Sequence, residues 1–257
     1  ARLGEIEFES FTETENGLEA FIPEQGFSEE NLNLVLNDYR TGFYFSVSQE
    51  IIKDQNWNQV WEENYFKPLV VAKQCVVRAP FHTDFPKAKY EIIIEPNMAF
   101  GTGNHETTSM MLEYILNEDL KGKTVLDMGC GTGILSILAS LKNAQKITAI
   151  DIDEWSFIST QENAKLNNVK NIEVKHGDAS LLGEETYDFI FANIHKNVLI
   201  ADLPEYTKFL NKDGKIFLSG FYREDIQDIK AQAEKCGLTD FGFTERNNWV
   251  AHAFIKK

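Results

Sequence analysis

From residue 124 onward one arrangement repeats: a short run of β-branched and aromatic residues, a turn, then a helical stretch. "TVLDM" precedes a helix from about Ile134, "KITAID" precedes one over "WSFISTQENAKLNN", and "NIEVKHGD" ends in a turn. "YDFIFANI" then precedes "HKNVLIADLPEYTKFL", and "GKIFLSG" precedes "REDIQDIKAQAEKCG". Strands that are apolar throughout are buried on both faces, and a helix after each strand lets the next run parallel to it. The alternation therefore predicts an α/β fold, a parallel sheet covered by helices on both faces. Only a short turn separates "DFGFTERN" from "WVAHAFIKK", so this closing pair must be antiparallel.

Ahead of that pattern the chain reads differently. Residues 1–52 hold three strand-like pieces, "EIEFESFTET", "GLEAFIPE" and "GFYFSVSQ", and a helical piece, "SEENLNLVLNDYR", which together predict a small α+β domain. Residues 53–66 read as a linker helix whose Trp57 and Trp61, four apart, share one face and dock against a neighbouring domain rather than stack on a ligand. Residues 67–257 form the second domain, opening with the strands of "LVVAKQCVVRA" and "KYEIIIEP". With 43% apolar and 25% charged residues the chain has the composition of a globular protein. No run approaches the roughly 18 apolar residues of a membrane span, and "ARLGEIEFES" carries no apolar signal, which predicts a cytoplasmic protein. Cys75, Cys130 and Cys236 are odd in number and far apart, and no histidines cluster, so neither disulfides nor a metal site is expected. A formal charge of -15 argues against a general nucleic-acid surface; it suits a basic partner, or serves solubility alone.

The chemistry concentrates in "VLDMGCGTGILSILA", where Gly129, Gly131 and Gly133 follow a buried strand and open a helix. Such a loop turns sharply and lets a ligand approach the backbone. The dinucleotide fingerprint is G-x-G-x-x-G; this loop is G-x-G-x-G, with Asp127 two residues before it. A carboxylate there repels a pyrophosphate and attracts an ammonium or sulfonium group, so S-adenosylmethionine fits better than a nicotinamide cofactor. Asp151, at the end of "KITAID", is placed to accept both ribose hydroxyls, whereas alone it would read as a helix cap. Asp178, in "HGD", either accepts from the adenine amino group or shapes a turn.

"DMGCGTG" together with "AIDID" resembles the seven-stranded S-adenosylmethionine-dependent methyltransferases. "FGTGNHETT" (100–108) and "FANIHKNVL" (191–199) are similar to two narrower motifs of the PrmA family of ribosomal-protein methyltransferases, which modify the eleventh protein of the large subunit. The tryptophan-bearing linker and "FLSGF" (217–221) agree. The resemblance implies a Rossmann-like catalytic domain behind a ferredoxin-like recognition domain, and a basic large-subunit ribosomal protein as substrate, methylated on lysine side-chain or N-terminal amino groups. It implies cofactor contacts at Thr108, Gly129, Asp151 and Asn193, to which the residues themselves add Gly131 and Asp178. Family members place a strand and a helix before the segment resembling "GEIEFESFTET", so the recognition domain is expected to be shortened at its start; Asn104 and Glu106 stand at variable positions of the first motif.

Gly101 and Gly103 let the first motif fold over a ligand, Asn104 caps the helix that follows, and Thr108 offers its hydroxyl to the methionine end of the cofactor. Asn193 ends a buried strand at the edge where open α/β sheets bind ligands, or else caps the next helix. His195 is left without a role, and no catalytic base is assigned. Transfer needs a neutral amine, which costs about 4.6 kcal/mol for a lysine near neutral pH but about 1 kcal/mol for an α-amino group. Two other readings share the same cofactor loop: a methyltransferase for a small amine or RNA, and a non-catalytic protein that only binds S-adenosylmethionine.

Overall fold

A computed structural model of the chain describes residues 2–14, 17–39, 46–50, 68–95 and 106–257. Two compact units emerge, Ala1–Val60 and Trp61–Lys257. The linker tryptophans, Gly101, Gly103 and Asn104 lie outside the described residues, as does the first half of "GFYFSVSQ"; its second half carries no strand.

In the first unit an antiparallel hairpin joins β1 (Ser10–Thr14) to β2 (Gly17–Phe21), with Ser10 opposite Phe21 and Thr14 opposite Gly17. The strand expected from residue 5 is shorter, because Arg2–Ile6 forms a 3-10 turn. Helix α1 (Glu29–Tyr39) starts where the Ser28 hydroxyl accepts from the Asn31 N–H at 3.3 Å, with Glu29 and Glu30 in its first turn favouring the positive end of the dipole.

Among the described residues the second unit begins with three short strands, β3 (Leu69–Val71), β4 (Cys75–Arg78) and β5 (Tyr90–Ile93). β3 and β4 are antiparallel, β4 and β5 parallel. The single strand read from "LVVAKQCVVRA" is thus a hairpin. Its turn residues Ala72 and Lys73 both have positive φ, 49° and 54°, and the Gln74 N–H closes on Val71 O at 3.0 Å. That geometry normally selects Asn and Gly, so nothing in the sequence marked it.

Seven strands then form the main sheet: β6 (Thr124–Met128), β7 (Lys146–Asp151), β8 (Ile172–His176), β9 (Tyr187–Asn193), β10 (Leu210–Tyr222), β11 (Leu238–Arg246) and β12 (Trp249–Lys256). Their order is β11-β12-β10-β9-β6-β7-β8. β12 alone runs against its neighbours, as the short turn required. Successive residues divide between two cores: Val125, Phe189, Phe191 and Phe217 face one, while Leu126, Ile190, Ala192, Ile216 and Leu218 face the other. This is why the strands read as unbroken apolar runs.

Among the described residues the helices of the second unit are α2 (Glu106–Asn117), α3 (Ile134–Leu141), α4 (Glu154–Leu166), α5 (Lys196–Phe209) and α6 (Ile226–Lys235). α2 and α3 pack in the first core together with β3–β5; α5 and α6 pack in the second. Pro204 inside α5 has no N–H for Ile200 O, and the Gln232 amide of α6 donates to that carbonyl instead, at 3.2 Å.

Exposed non-glycine residues at positive φ carry strain. The double substitution A72N/K73G should therefore stabilise the second unit by about 1 kcal/mol. An unfolding midpoint that is unchanged or lowered would show that the turn is unstrained.

Candidate functional site

The strand order reverses between β6 and β9, and open α/β sheets bind ligands outside the carboxyl ends of the strands at such a point. Asp127, the glycine loop and Asn193 lie at that crevice, with Asp151 at the end of the adjoining β7.

The loop is held from two sides. Gly129, Gly131 and Gly133 all have positive φ, 69°, 55° and 77°. The N–H groups of Gly129 and Cys130 donate to Ile150 O at 2.8 and 3.2 Å. The Gly131 N–H donates to Asp151 Oδ2 at 2.8 Å, tying the loop to the end of β7. On the other side, Thr160 Oγ1 donates to Gly131 O and Asn163 Nδ2 to Thr132 O, both at 2.9 Å. Asn163 is 0% exposed, and its Oδ1 accepts the Glu95 N–H at 2.9 Å just past β5. One turn on, Asn167 accepts the Ile93 N–H at 2.8 Å and donates to Ile93 O at 2.6 Å. α4 thus ties the loop to β5 with polar side chains. Thr160, Asn163 and Asn167 carried no assignment from the sequence; their 3-4 spacing along α4 and its C-cap was the available signal.

Asp127 is buried, and its Oδ2 accepts from the Ser136 N–H at 3.1 Å and the Ser136 hydroxyl at 2.6 Å, in the first turn of α3. Its Oδ1 is buried too, with no hydrogen-bond partner among the described residues. Burial pushes its carboxyl up to about 6; the Ser136 hydrogen bonds oppose that and the nearby Asp151 charge adds to it. Asp151 also accepts the Asp153 N–H at Oδ1, 3.0 Å, so each of its oxygens keeps lone-pair capacity for a further donor. Asp178 is exposed and caps a 3-10 turn, accepting the Ser180 N–H at 2.9 Å. The Ser180 hydrogen bonds lower its carboxyl value.

Thr108 and Asn193, 85 residues apart, meet: Asn193 Nδ2 lies 3.5 Å from Thr108 Oγ1. Thr108 is buried in the first turn of α2, a helix pinned by the β11–β12 turn. Arg246 Nη2 makes 2.7 Å contacts to both Glu113 oxygens, and Asn247 Nδ2 donates to Glu106 Oε1 at 2.6 Å. The expected site residues Thr108, Gly129, Gly131, Asp151 and Asn193 thus converge on two linked groups, whereas Asp178 stands at the end of β8 with a turn of its own. Burial raises the Cys130 thiol well above its ordinary value, which makes it inert rather than nucleophilic. Exposed His195 precedes α5 without a side-chain capping bond.

A bare loop with an unpaired buried carboxylate oxygen suits a ligand that brings a cationic donor, and Asp151 beside it suits paired hydroxyls. Residues 5–257 match the family described as "Ribosomal protein L11 methyltransferase (PrmA)". A protein of that name from Phocaeicola vulgatus is 48% identical over 263 aligned positions, covering 100% of this chain and 92% of its own. Another, from Porphyromonas gingivalis, is 48% identical over 256 positions, covering 99% and 88%. The crystal structure of a ribosomal protein L11 methylase from Lactobacillus delbrueckii subsp. bulgaricus aligns with a TM-score of 0.70 at 26% identity, over 75% of this chain and 100% of that one.

The raised carboxyl of Asp127 fixes a sign. An unfolded aspartate releases its proton near 3.8 and the folded one near 6, so this group destabilises the fold as pH rises through that window. The stability of Asp127→Asn relative to the parent should therefore rise between pH 4 and 7 by roughly 2 kcal/mol. Because the other groups titrate in both proteins, the difference curve isolates Asp127. A flat difference would mean that the carboxyl ionises normally.

Proposed function

The chain belongs to the ribosomal protein L11 methyltransferase (PrmA) family, and we propose that it transfers the methyl group of S-adenosylmethionine to lysine and N-terminal amino groups of ribosomal protein L11. The observation that carries this reading is the buried Oδ1 of Asp127 beside the glycine loop, unpaired among the described residues. A buried carboxylate oxygen without a donor is costly, and the ammonium of a methionine moiety supplies what it lacks. The residues present therefore fit the cofactor: Asp127 takes the amino group, Gly129 and Gly131 leave the loop open, and Asp151 takes the ribose hydroxyls. Asp178 receives the adenine amino group at its exposed carboxylate. Thr108 and Asn193 close the methionine end.

Bound there, the cofactor supplies an electrophilic methyl on a sulfonium centre. The protein must deliver a neutral amine in line with it, and position dominates such a reaction. Asn193, at the carboxyl end of β9, orients the amine by accepting one N–H at its side-chain oxygen; the Ile194 carbonyl accepts another. A dry site would disfavour the ammonium, so its proton is lost to solvent as the amine enters, a larger demand for lysine than for an α-amino group. No side chain is needed as a strong base, which accords with His195 being exposed.

Residues 1–52 we assign to substrate recognition, as a domain of ferredoxin-like type; the β1–β2 hairpin and α1 support an α+β unit there. Residues 53–66 act as its linker and 67–257 as the catalytic domain. The charge of -15 suits a basic ribosomal protein as partner and disfavours direct contact with nucleic acid. No helix among the described residues is long and apolar enough to cross a membrane, and we place the reaction in the cytoplasm, where ribosomal proteins are made.

The test is incubation of the whole chain with radiolabelled S-adenosylmethionine and purified large-subunit ribosomal proteins. Label is expected in ribosomal protein L11; label confined to small amines, or to nothing, would overturn the reading. Asp151→Ala should weaken S-adenosylhomocysteine binding by about 1.5–3 kcal/mol, the worth of hydrogen bonds to a charged group. An unchanged calorimetric Kd in a folded variant would remove Asp151 from the site.

A further inference from the structure

Ile194 follows Asn193 and is clamped between two glycines that lie far apart in sequence. The first is Gly129: a Cβ there would stand 2.1 Å from Ile194 Cγ2. The second is Gly220, in the "FLSGF" motif, at φ 95°, where β10 bulges between Ser219 and Phe221. A Cβ on Gly220 would lie 2.4 Å from Ile194 O, 2.8 Å from its carbonyl carbon and 3.0 Å from its nitrogen. Just before the bulge, Ser219 O accepts the Ile194 N–H at 3.1 Å, and Ser219 stands beside Asn193 in the parallel ladder. Gly129 therefore fits the side chain of Ile194, and Gly220 fits its backbone.

We propose that Gly129 and Gly220 act as one positioning device, which fixes Ile194 and so holds the Asn193 side chain and the Ile194 carbonyl where the substrate amine is presented. The inference rests on the methyl-transfer reading above and adds to it the residues that set the geometry of the amine acceptors. It gives the bulge in β10 a purpose: the left-handed residue bends the strand so that its bare Cα faces the Ile194 carbonyl. It also links the cofactor loop to the acceptor, because Gly129 belongs to the loop and touches the same residue. Neither clash can be absorbed in the same way. At Gly220 the obstacle is backbone, so the Ile194 carbonyl itself must retreat by at least 0.6 Å to restore the 3.0 Å below which real Cβ contacts are essentially absent. At Gly129 the obstacle is a side-chain methyl, which a shorter residue removes.

The two clashes predict different signatures. In the whole chain, Gly220→Ala should keep the Kd for S-adenosylhomocysteine within about threefold of the parent while single-turnover methyl transfer to ribosomal protein L11 falls about 100-fold, the usual cost of misplacing a reacting group by about 1 Å. Gly129→Ala should weaken S-adenosylhomocysteine binding at least tenfold, and adding Ile194→Ala should restore part of that affinity by deleting the obstructing methyl, while the strain of alanine at φ 69° remains. Transfer by Gly220→Ala within threefold of the parent would overturn the proposal. So would a parallel loss of Kd, rate and melting temperature, which marks a purely structural glycine, and so would a failure of Ile194→Ala to restore any affinity to Gly129→Ala. The binding arm needs no transfer. If the parent itself leaves ribosomal protein L11 unmethylated, the proposed function fails, while the rescue experiment still decides whether Ile194 is clamped.

Discussion

The glycine loop keeps its shape because its carbonyls are claimed by α4. Thr160 takes Gly131 O and Asn163 takes Thr132 O, while the Gly131 N–H is anchored on Asp151. A loop with three positive φ angles has many alternatives in isolation, and hydrogen bonds from α4 and from β7 select one of them. Asn163 carries the larger share of the constraint. It is fully buried, and it bonds the loop with one end of its amide and the chain leaving β5 with the other. Removing it would take two interior hydrogen bonds away together, a larger penalty than the loss of one exposed bond.

The site spends stability on charge placement. Asp127 sits in the interior, with burial holding its carboxyl near 6, and among the described residues only one of its oxygens has a partner, Ser136 in the first turn of α3. The positive end of the α3 dipole offsets part of that cost. On the proposed reading the ammonium of the cofactor meets the remaining oxygen, and the same carboxyl that weakens the free protein would strengthen the liganded one. Ile194 shows the equivalent in sterics, since two positions bear no side chain in order to seat it.

Much of this was legible in the sequence where local chemistry and tertiary role agree. The β-α alternation gave the parallel sheet, and the G-x-G-x-G spacing marked the loop. The Asn247–Asn248 turn, both residues at positive φ, uses the residue type that tolerates that conformation, so the closing hairpin could be read directly. Ala72–Lys73 has the same φ signs without that chemistry, so its hairpin read as one strand. Thr160, Asn163 and Asn167 were hidden for a different reason: asparagines on a helix read as solvated, and only the fold reveals that this face is turned inward against backbone. The 3.5 Å approach of Asn193 to Thr108 spans 85 residues and depends on the β11–β12 turn pinning α2, which no local pattern encodes.

All of these constraints converge on one arrangement at the β6/β9 reversal, and a crystal structure of the chain with S-adenosylhomocysteine tests it most directly. The ribose hydroxyls are expected within about 3 Å of the Asp151 carboxylate, the homocysteine ammonium on Asp127 Oδ1, and the sulfur turned toward Asn193. A ligand that leaves Asp127 Oδ1 unpaired, or that lies away from the glycine loop, would contradict the account.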